Sequence, residues 1–183
     1  KVIMLIGDFT GMIGDPTDKT SARKKLSQSE VLENCKFYQK QAGAILNFKG
    51  SNKVEVRYNS KWFSKMDLAD ALELASMMTE QRMVERDMFQ NRLKEAKPIY
   101  LHEFLYPLLQ GYDSVVMDVD GEVGGNDQTF NMLVGRDLLK ELKKKEKFVV
   151  AMKLLVDDTG KKMGKTEGNM ITLSDAPEDM FGK

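Results

Sequence analysis

The chain has 183 residues, enough for one domain with a sizeable core. Apolar residues make up 42% and charged residues 31%, and Lys plus Arg equals Asp plus Glu at 28 each, which argues against a general nucleic-acid binder, since such domains usually carry a basic excess. The one cysteine, Cys35, excludes an internal disulfide and a Cys-rich zinc site and suits a reducing, cytoplasmic setting; no apolar run approaches the roughly 20 residues of a membrane helix.

Val2-Ile3-Met4-Leu5-Ile6-Gly7 is a short apolar run ending in glycine, the pattern of a buried, parallel strand. From Asp8 to Arg23 come Gly11, Gly14, Asp15-Pro16 and several hydroxyl residues, which predict a loop. Ser27-Gln28-Ser29-Glu30 has capping-box spacing, and Val31, Cys35, Tyr38, Ala42 and Ile45 then follow at helical spacing to about Asn47. Val54, Val56 and Tyr58 alternate with polar residues as a strand does. Asp67 caps a helix through Leu74, and Thr79 caps another over about Glu80 to Lys94. A helix is expected from about His102 to Gln110, with Pro107 marking a kink or a late start. Ser114 to Val123 reads as a strand with an irregularity at Gly121, Asp127 to Lys144 as a helix, Phe148 to Leu155 as a strand and Asp157 to Asn169 as a polar loop. Strands alternating with helices predict a mostly parallel sheet, and ligands of such sheets bind beyond the carboxyl ends of the strands.

Three short signatures carry chemistry. Tyr106, Gln110 and Asp113 lie at i, i+4 and i+7, so a continuous helix points a phenol, an amide and a carboxylate the same way. Alone, that pattern also fits an amphipathic helix with Tyr106 in the core. Gly124-Gly125-Asn126-Asp127-Gln128 joins a close-approaching backbone to an acid and an amide. Asp127 can accept two hydroxyl hydrogen bonds, as a ribose offers, or simply cap the following helix. Lys162-Met163-Gly164-Lys165-Thr166 puts two lysines three residues apart on a glycine-containing loop, suited to phosphate and equally to solvent. Other motifs fail. Gly14-x-x-x-x-Lys19-Thr20 lacks the glycine that a P-loop has before its lysine, and Asp118-Val119-Asp120-Gly121 lacks the later ligands of a calcium loop. No set of side chains has metal-ligand spacing. The lysine- and glutamate-rich run from Glu141 to Lys147 reads as a solvated helix end.

In this order the three signatures resemble the catalytic domain of bacterial tyrosyl-tRNA synthetases, which are class I aminoacyl-tRNA synthetases. Lys162 to Thr166 resembles that class's Lys-Met-Ser-Lys-Ser loop. The resemblance extends from Gly7-Asp8-Phe9-Thr10-Gly11-Met12-Ile13-Gly14-Asp15-Pro16 to Lys165-Thr166-Glu167-Gly168-Asn169. It implies a Rossmann-like α/β nucleotide-binding domain with helices on both faces of a mostly parallel sheet, and a helical connective insertion over about residues 67–105. It implies ATP-dependent activation of L-tyrosine and transfer to tRNA(Tyr), with ATP as the substrate alongside Mg2+ and no prosthetic group. By the same resemblance Tyr106, Gln110 and Asp15 face the ammonium of tyrosine, Asp113 its hydroxyl, and Gln128 lies near its amino-acid end. Gly124, Gly125 and Asp127 hold the ATP ribose, Lys162, Lys165 and Thr166 act on the phosphates, and Lys19 and Arg23 help hold pyrophosphate. A homodimer is implied, with its contact surface around Arg82 to Phe104.

The class also carries a His-Ile-Gly-His motif, whereas the only histidine here is His102. The expectation is therefore a central catalytic piece that is inactive alone, the histidine-motif part and the anticodon-binding region lying outside it. Asn126 stands where threonine or serine is usual, Lys153 where proline is common, and Gly164 and Thr166 replace serines of the lysine loop. Two other readings stand beside tyrosine activation: a tryptophanyl enzyme, disfavoured by Tyr106, Gln110 and Asp113, and a non-catalytic synthetase-like binding protein.

Overall fold

The computed structural model describes residues 1–16, 26–164, 168 and 170–182. Strand β1 (Ile3–Ile6) pairs in parallel with β2 (Glu55–Tyr58), in register Ile3 to Glu55. Strand β3 (Gly121–Gly125) pairs in parallel with β4 (Phe148–Met152), in register Gly121 to Phe148. Among the described residues these are two separate pairs, both parallel, as the alternation of strands and helices predicts. Among those residues no helix is long and apolar enough to cross a membrane.

Short helix α1 (Thr10–Ile13) lies within the expected loop after β1. The capping box at Ser27 forms, with Glu30 bonding back to the Ser27 backbone, and starts α2 (Gln28–Cys35). The expected continuous helix to Asn47 is instead interrupted after Cys35 and resumes as α3 (Tyr38–Ala42). That segment leaves Phe37, Tyr38 and Ile45 exposed, so little packing holds it straight. After α4 (Ser60–Phe63) comes α5 (Leu68–Ser76), capped by Asp67 in a reciprocal box with Asp70. Thr79 caps as predicted, but the helix it opens divides into α6 (Glu80–Val84) and α7 (Asp87–Lys94), because Arg86 is extended at ψ 131°.

The main correction concerns residues 114–120. Ser114 to Met117 are not strand but the end of α8 (Leu101–Met117), which runs unbroken through buried Pro107 and stops where Asp118 turns left-handed at φ 52°. The β-branched pair Val115-Val116 imitates a strand, but packing against α9 (Thr129–Lys143) decides the outcome. Strand β4 likewise ends at Met152, short of the expected Leu155. The last helix, α10, spans Pro177–Gly182.

Leu108, Leu109 and Val115 of α8 and Val134, Leu138 and Leu139 of α9 form the core with Phe63, Leu74 and Met83. The two helices cross closely at Gly111 and Gly135. A Cβ on Gly135 would lie 2.6 Å from the buried Lys147 Nζ, 3.0 Å from Ser114 Oγ and 3.3 Å from the Gly111 Cα. Gly135→Ala should therefore destabilise the protein by about 1–3 kcal/mol through overpacking, read as a lower urea midpoint with an unchanged slope. The connective stretch is tied to α8 by Arg92 and Glu103, an ion pair of 2.5 Å with both side chains almost wholly buried.

Candidate active site

Asp113 sits on the inward face of α8 and is 3% exposed. One carboxylate oxygen accepts a bond of 2.8 Å from the Trp62 indole Nε1, and the other accepts 3.3 Å from the Asn59 Nδ2. Asn59, fully buried where β2 ends, also donates 3.0 Å to Thr10 Oγ1 and accepts 2.9 Å from the Phe9 backbone. The ends of β1 and β2 thus meet α8 at one carboxylate. Burial pushes the Asp113 carboxyl up to about 7; the bonds from Trp62 and Asn59 oppose this, and the charges of Glu122 and Asp8 add to it. A carboxylate has about four acceptor positions, so capacity remains here for one more donor, such as a phenol.

A chain of amides runs beside this acid. Asn131, fully buried on the first turn of α9, donates 3.0 Å to Gln110 Oε1 and 3.1 Å to Gln128 Oε1. Gln128 in turn donates 2.8 Å to Asp15 Oδ2, although 113 positions separate the two. Four polar residues from three segments are thereby fixed against one another. Tyr106 is half-buried one helical turn before Gln110, on the same run of α8.

The third corner lies where β3 ends. Asn126–Gln128 form a 3-10 turn before α9, so Asp127 does not cap that helix by its side chain. At Gly125 a Cβ would lie 2.5 Å from the Asp127 carboxylate and 2.6 Å from Leu154, so only glycine leaves room for that carboxylate beside the strand. Asp127 holds the Lys162 Nζ at 2.6 Å, which brings Lys162 onto the turn after β3. Gly124 belongs to the strand itself and backs onto Met132.

The structure therefore groups Asp15, Gln110 and Gln128 in one network, Asp127 with Lys162 in another, and Asp113 in a third reached along α8. Lys19, Arg23, Lys165 and Thr166 lie outside the described residues. Four pocket residues escaped sequence reasoning: Thr10, Asn59, Trp62 and Asn131. Position was the available signal for two of them, since Asn59 and Trp62 directly follow a predicted strand, where ligands of parallel sheets bind. Asn131 carried no comparable mark.

All 183 residues match the family model of class I tRNA synthetases for tryptophan and tyrosine. The chain belongs to that family. A tyrosine–tRNA ligase of Carboxydothermus hydrogenoformans is 48% identical across the whole chain, and one of Haemophilus influenzae is 49% identical. The chain spans 44% and 45% of those relatives' lengths, a little under half. In fold it is similar to a C-terminally truncated mitochondrial tyrosyl-tRNA synthetase of Aspergillus nidulans, with a TM-score of 0.72 at 22% identity over 91% of this chain and 55% of that one. It is also similar to a tyrosyl-tRNA synthetase of Archaeoglobus fulgidus solved with L-tyrosine, with a TM-score of 0.68 at 24% identity over 96% of this chain and 51% of that one. The fold of a class I synthetase nucleotide-binding domain follows.

Proposed function

We propose that the protein carrying this chain is a tyrosine–tRNA ligase, which activates tyrosine with ATP and passes it to tRNA(Tyr). The observation that carries the reading is Asp113, a buried carboxylate already gripped by Trp62 and Asn59 at the deep end of α8. A phenol reaching it meets an acceptor that a plain aromatic ring would leave unpaired. Tyr106, Gln110, Asp15 and Gln128 then receive the amino-acid end, with Asn131 as the piece that orients both glutamines.

The chemistry needs no covalent enzyme intermediate. The tyrosine carboxylate attacks the α-phosphorus of ATP, a phosphorus–oxygen bond forms, and the bond to pyrophosphate breaks. The protein supplies position, and cations where charge builds on the leaving group. Gly124, Gly125 and Asp127 serve the ribose; Lys162, Lys165 and Thr166 serve the phosphates, aided by Lys19 and Arg23. Mg2+ enters with ATP as part of the substrate.

A homodimer through the stretch from Arg82 to Phe104 is part of this proposal. Leu93 and Leu101, 54% and 83% exposed, support it. A cytoplasmic location is supported by the lone cysteine. Tyrosine-dependent ATP–pyrophosphate exchange by the full-length protein is the test. Exchange with tyrosine and not tryptophan is expected; exchange with tryptophan alone would favour the sibling enzyme, and none with either would favour a binding protein.

A further inference from the structure

Beside Ser114, the residue that follows Asp113 on α8, lies a charge that the proposed chemistry does not use. The Lys147 side chain, just before β4, is 0% exposed. Its Nζ lies 2.5 Å from Glu122 Oε2 on β3 and 2.9 Å from Ser114 Oγ on α8. Ser114 Oγ also donates to Glu122 at 3.3 Å. Ser114 follows Asp113 directly, and Gly135 opposite has no side chain, which leaves space for the ammonium. Only Lys147 is fully buried, since the Glu122 side chain is 25% exposed; burying that ammonium costs desolvation that the pairing often fails to recover, so a role beyond stability is the better account of its place here.

We propose that Glu122 and Lys147 are positioning residues for the pocket: they pin the end of α8 to the sheet and set the ionisation of Asp113. They thereby set the pH range over which the pocket takes a phenol, a consequence that rests on the tyrosine reading above. The groups around Asp113 make the pair decisive. From the end of β1 comes Asp8, 3% exposed and spent on the Ser60 backbone N–H at 2.9 Å. From α4 and the end of β2 come Trp62 and Asn59, which do not ionise. The α9 residues that meet the neighbouring α8 residues Gln110, Gly111 and Ser114 are Asn131, Val134, Gly135 and Leu138, also without charge. Asp15 is held by Gln128 towards the other end of the site. Lys147, on the Ser114 side, is committed to Glu122. Burial is what chiefly raises the Asp113 carboxyl, and the charges of Glu122 and Asp8 add to it.

Trp62 provides a direct reporter, because its indole N–H bonds the Asp113 carboxylate. The full-length protein labelled with 5-fluorotryptophan, free of tyrosine, is titrated by 19F NMR, with the Trp62 resonance assigned by its loss in Trp62→Phe. Wild type should titrate near 7. Glu122→Gln keeps the shape, removes the repulsion and leaves the cation, so its midpoint should fall by about 1 pH unit. The double variant Glu122→Gln/Lys147→Met leaves no buried charge unpaired and should titrate between the other two. Midpoints that coincide in all three proteins overturn the proposal. Calorimetric tyrosine binding in parallel tests the tyrosine reading separately. An acidic limb that moves with the 19F midpoint joins the two proposals, whereas absent binding with shifted midpoints removes only the tyrosine reading.

Discussion

Asp113→Ala in the full-length protein should abolish most of its preference for tyrosine over phenylalanine while leaving its use of ATP nearly unchanged. The carboxylate is buried, and its two oxygens already answer Trp62 and Asn59. Phenylalanine bound against it would cover the remaining acceptor capacity with carbon, and nothing would replace the water lost. Removing the acid removes that penalty. It also leaves Trp62 and Asn59 without their acceptor, so tyrosine binding weakens while phenylalanine is no longer specifically rejected. Discrimination of about 10⁴–10⁵ is the magnitude already known for tyrosyl-tRNA synthetases themselves, and the geometry around Asp113 accounts for its direction. Pyrophosphate exchange with each amino acid gives the ratio of kcat/KM values, and a ratio unchanged by the substitution would remove Asp113 from the pocket. The same residue predicts a pH dependence. Since burial pushes the carboxyl up to about 7, the dissociation constant of tyrosine should be flat above that pH. Below it the constant should rise towards about tenfold per pH unit, because only the ionised acid is the full acceptor.

Part of this was legible in the sequence because the relevant signals are local. The capping residues Ser27, Asp67 and Thr79 each bond the backbone three residues on, and each does so in the structure. The run of Tyr106, Gln110 and Asp113 needs only an unbroken helix, and α8 provides it despite Pro107. Sequence and structure part where tertiary packing overrules local preference. Val115-Val116 belongs to a helix because Val115 is buried in the core with Val134 and Leu138 of α9, and the strand begins only at Gly121. Nothing in the local sequence announces that Asn131 would join Gln110 to Gln128, or that Asn59 and Trp62 would converge on Asp113 from about 50 positions away. Those are long-range partnerships, and a single sequence records each residue without its partner. The buried Lys147 was hidden for a related reason: it ends a run of charged residues that reads as solvated, and only the gap at Gly135 admits it to the interior.

Lys162→Ala should slow formation of the tyrosyl-adenylate by about 10²–10³ while changing the affinity for tyrosine little. The reasoning starts from its pairing with Asp127, at 2.6 Å. In the ligand-free protein that contact satisfies a carboxylate that is only 12% exposed, while Lys162 itself is 46% exposed at the surface of its loop. A ribose that takes over the Asp127 oxygens leaves the ammonium without that partner, and the nearest new negative charge is the polyphosphate of the same nucleotide. That charge grows as pyrophosphate departs, so the attraction is stronger in the transition state than in the bound substrate and appears in the rate. Exchange of one partner for another also limits what ATP binding gains from the lysine, so the affinity for ATP should fall less than the rate. Lys165→Ala should lower the rate in the same way, and the two substitutions together should be less than additive if both cations act on one leaving group. Single-turnover adenylate formation over a range of ATP concentrations separates the rate from the affinity. A normal rate with weakened tyrosine binding would place the lysine loop at the amino-acid end of the site instead of over the phosphates.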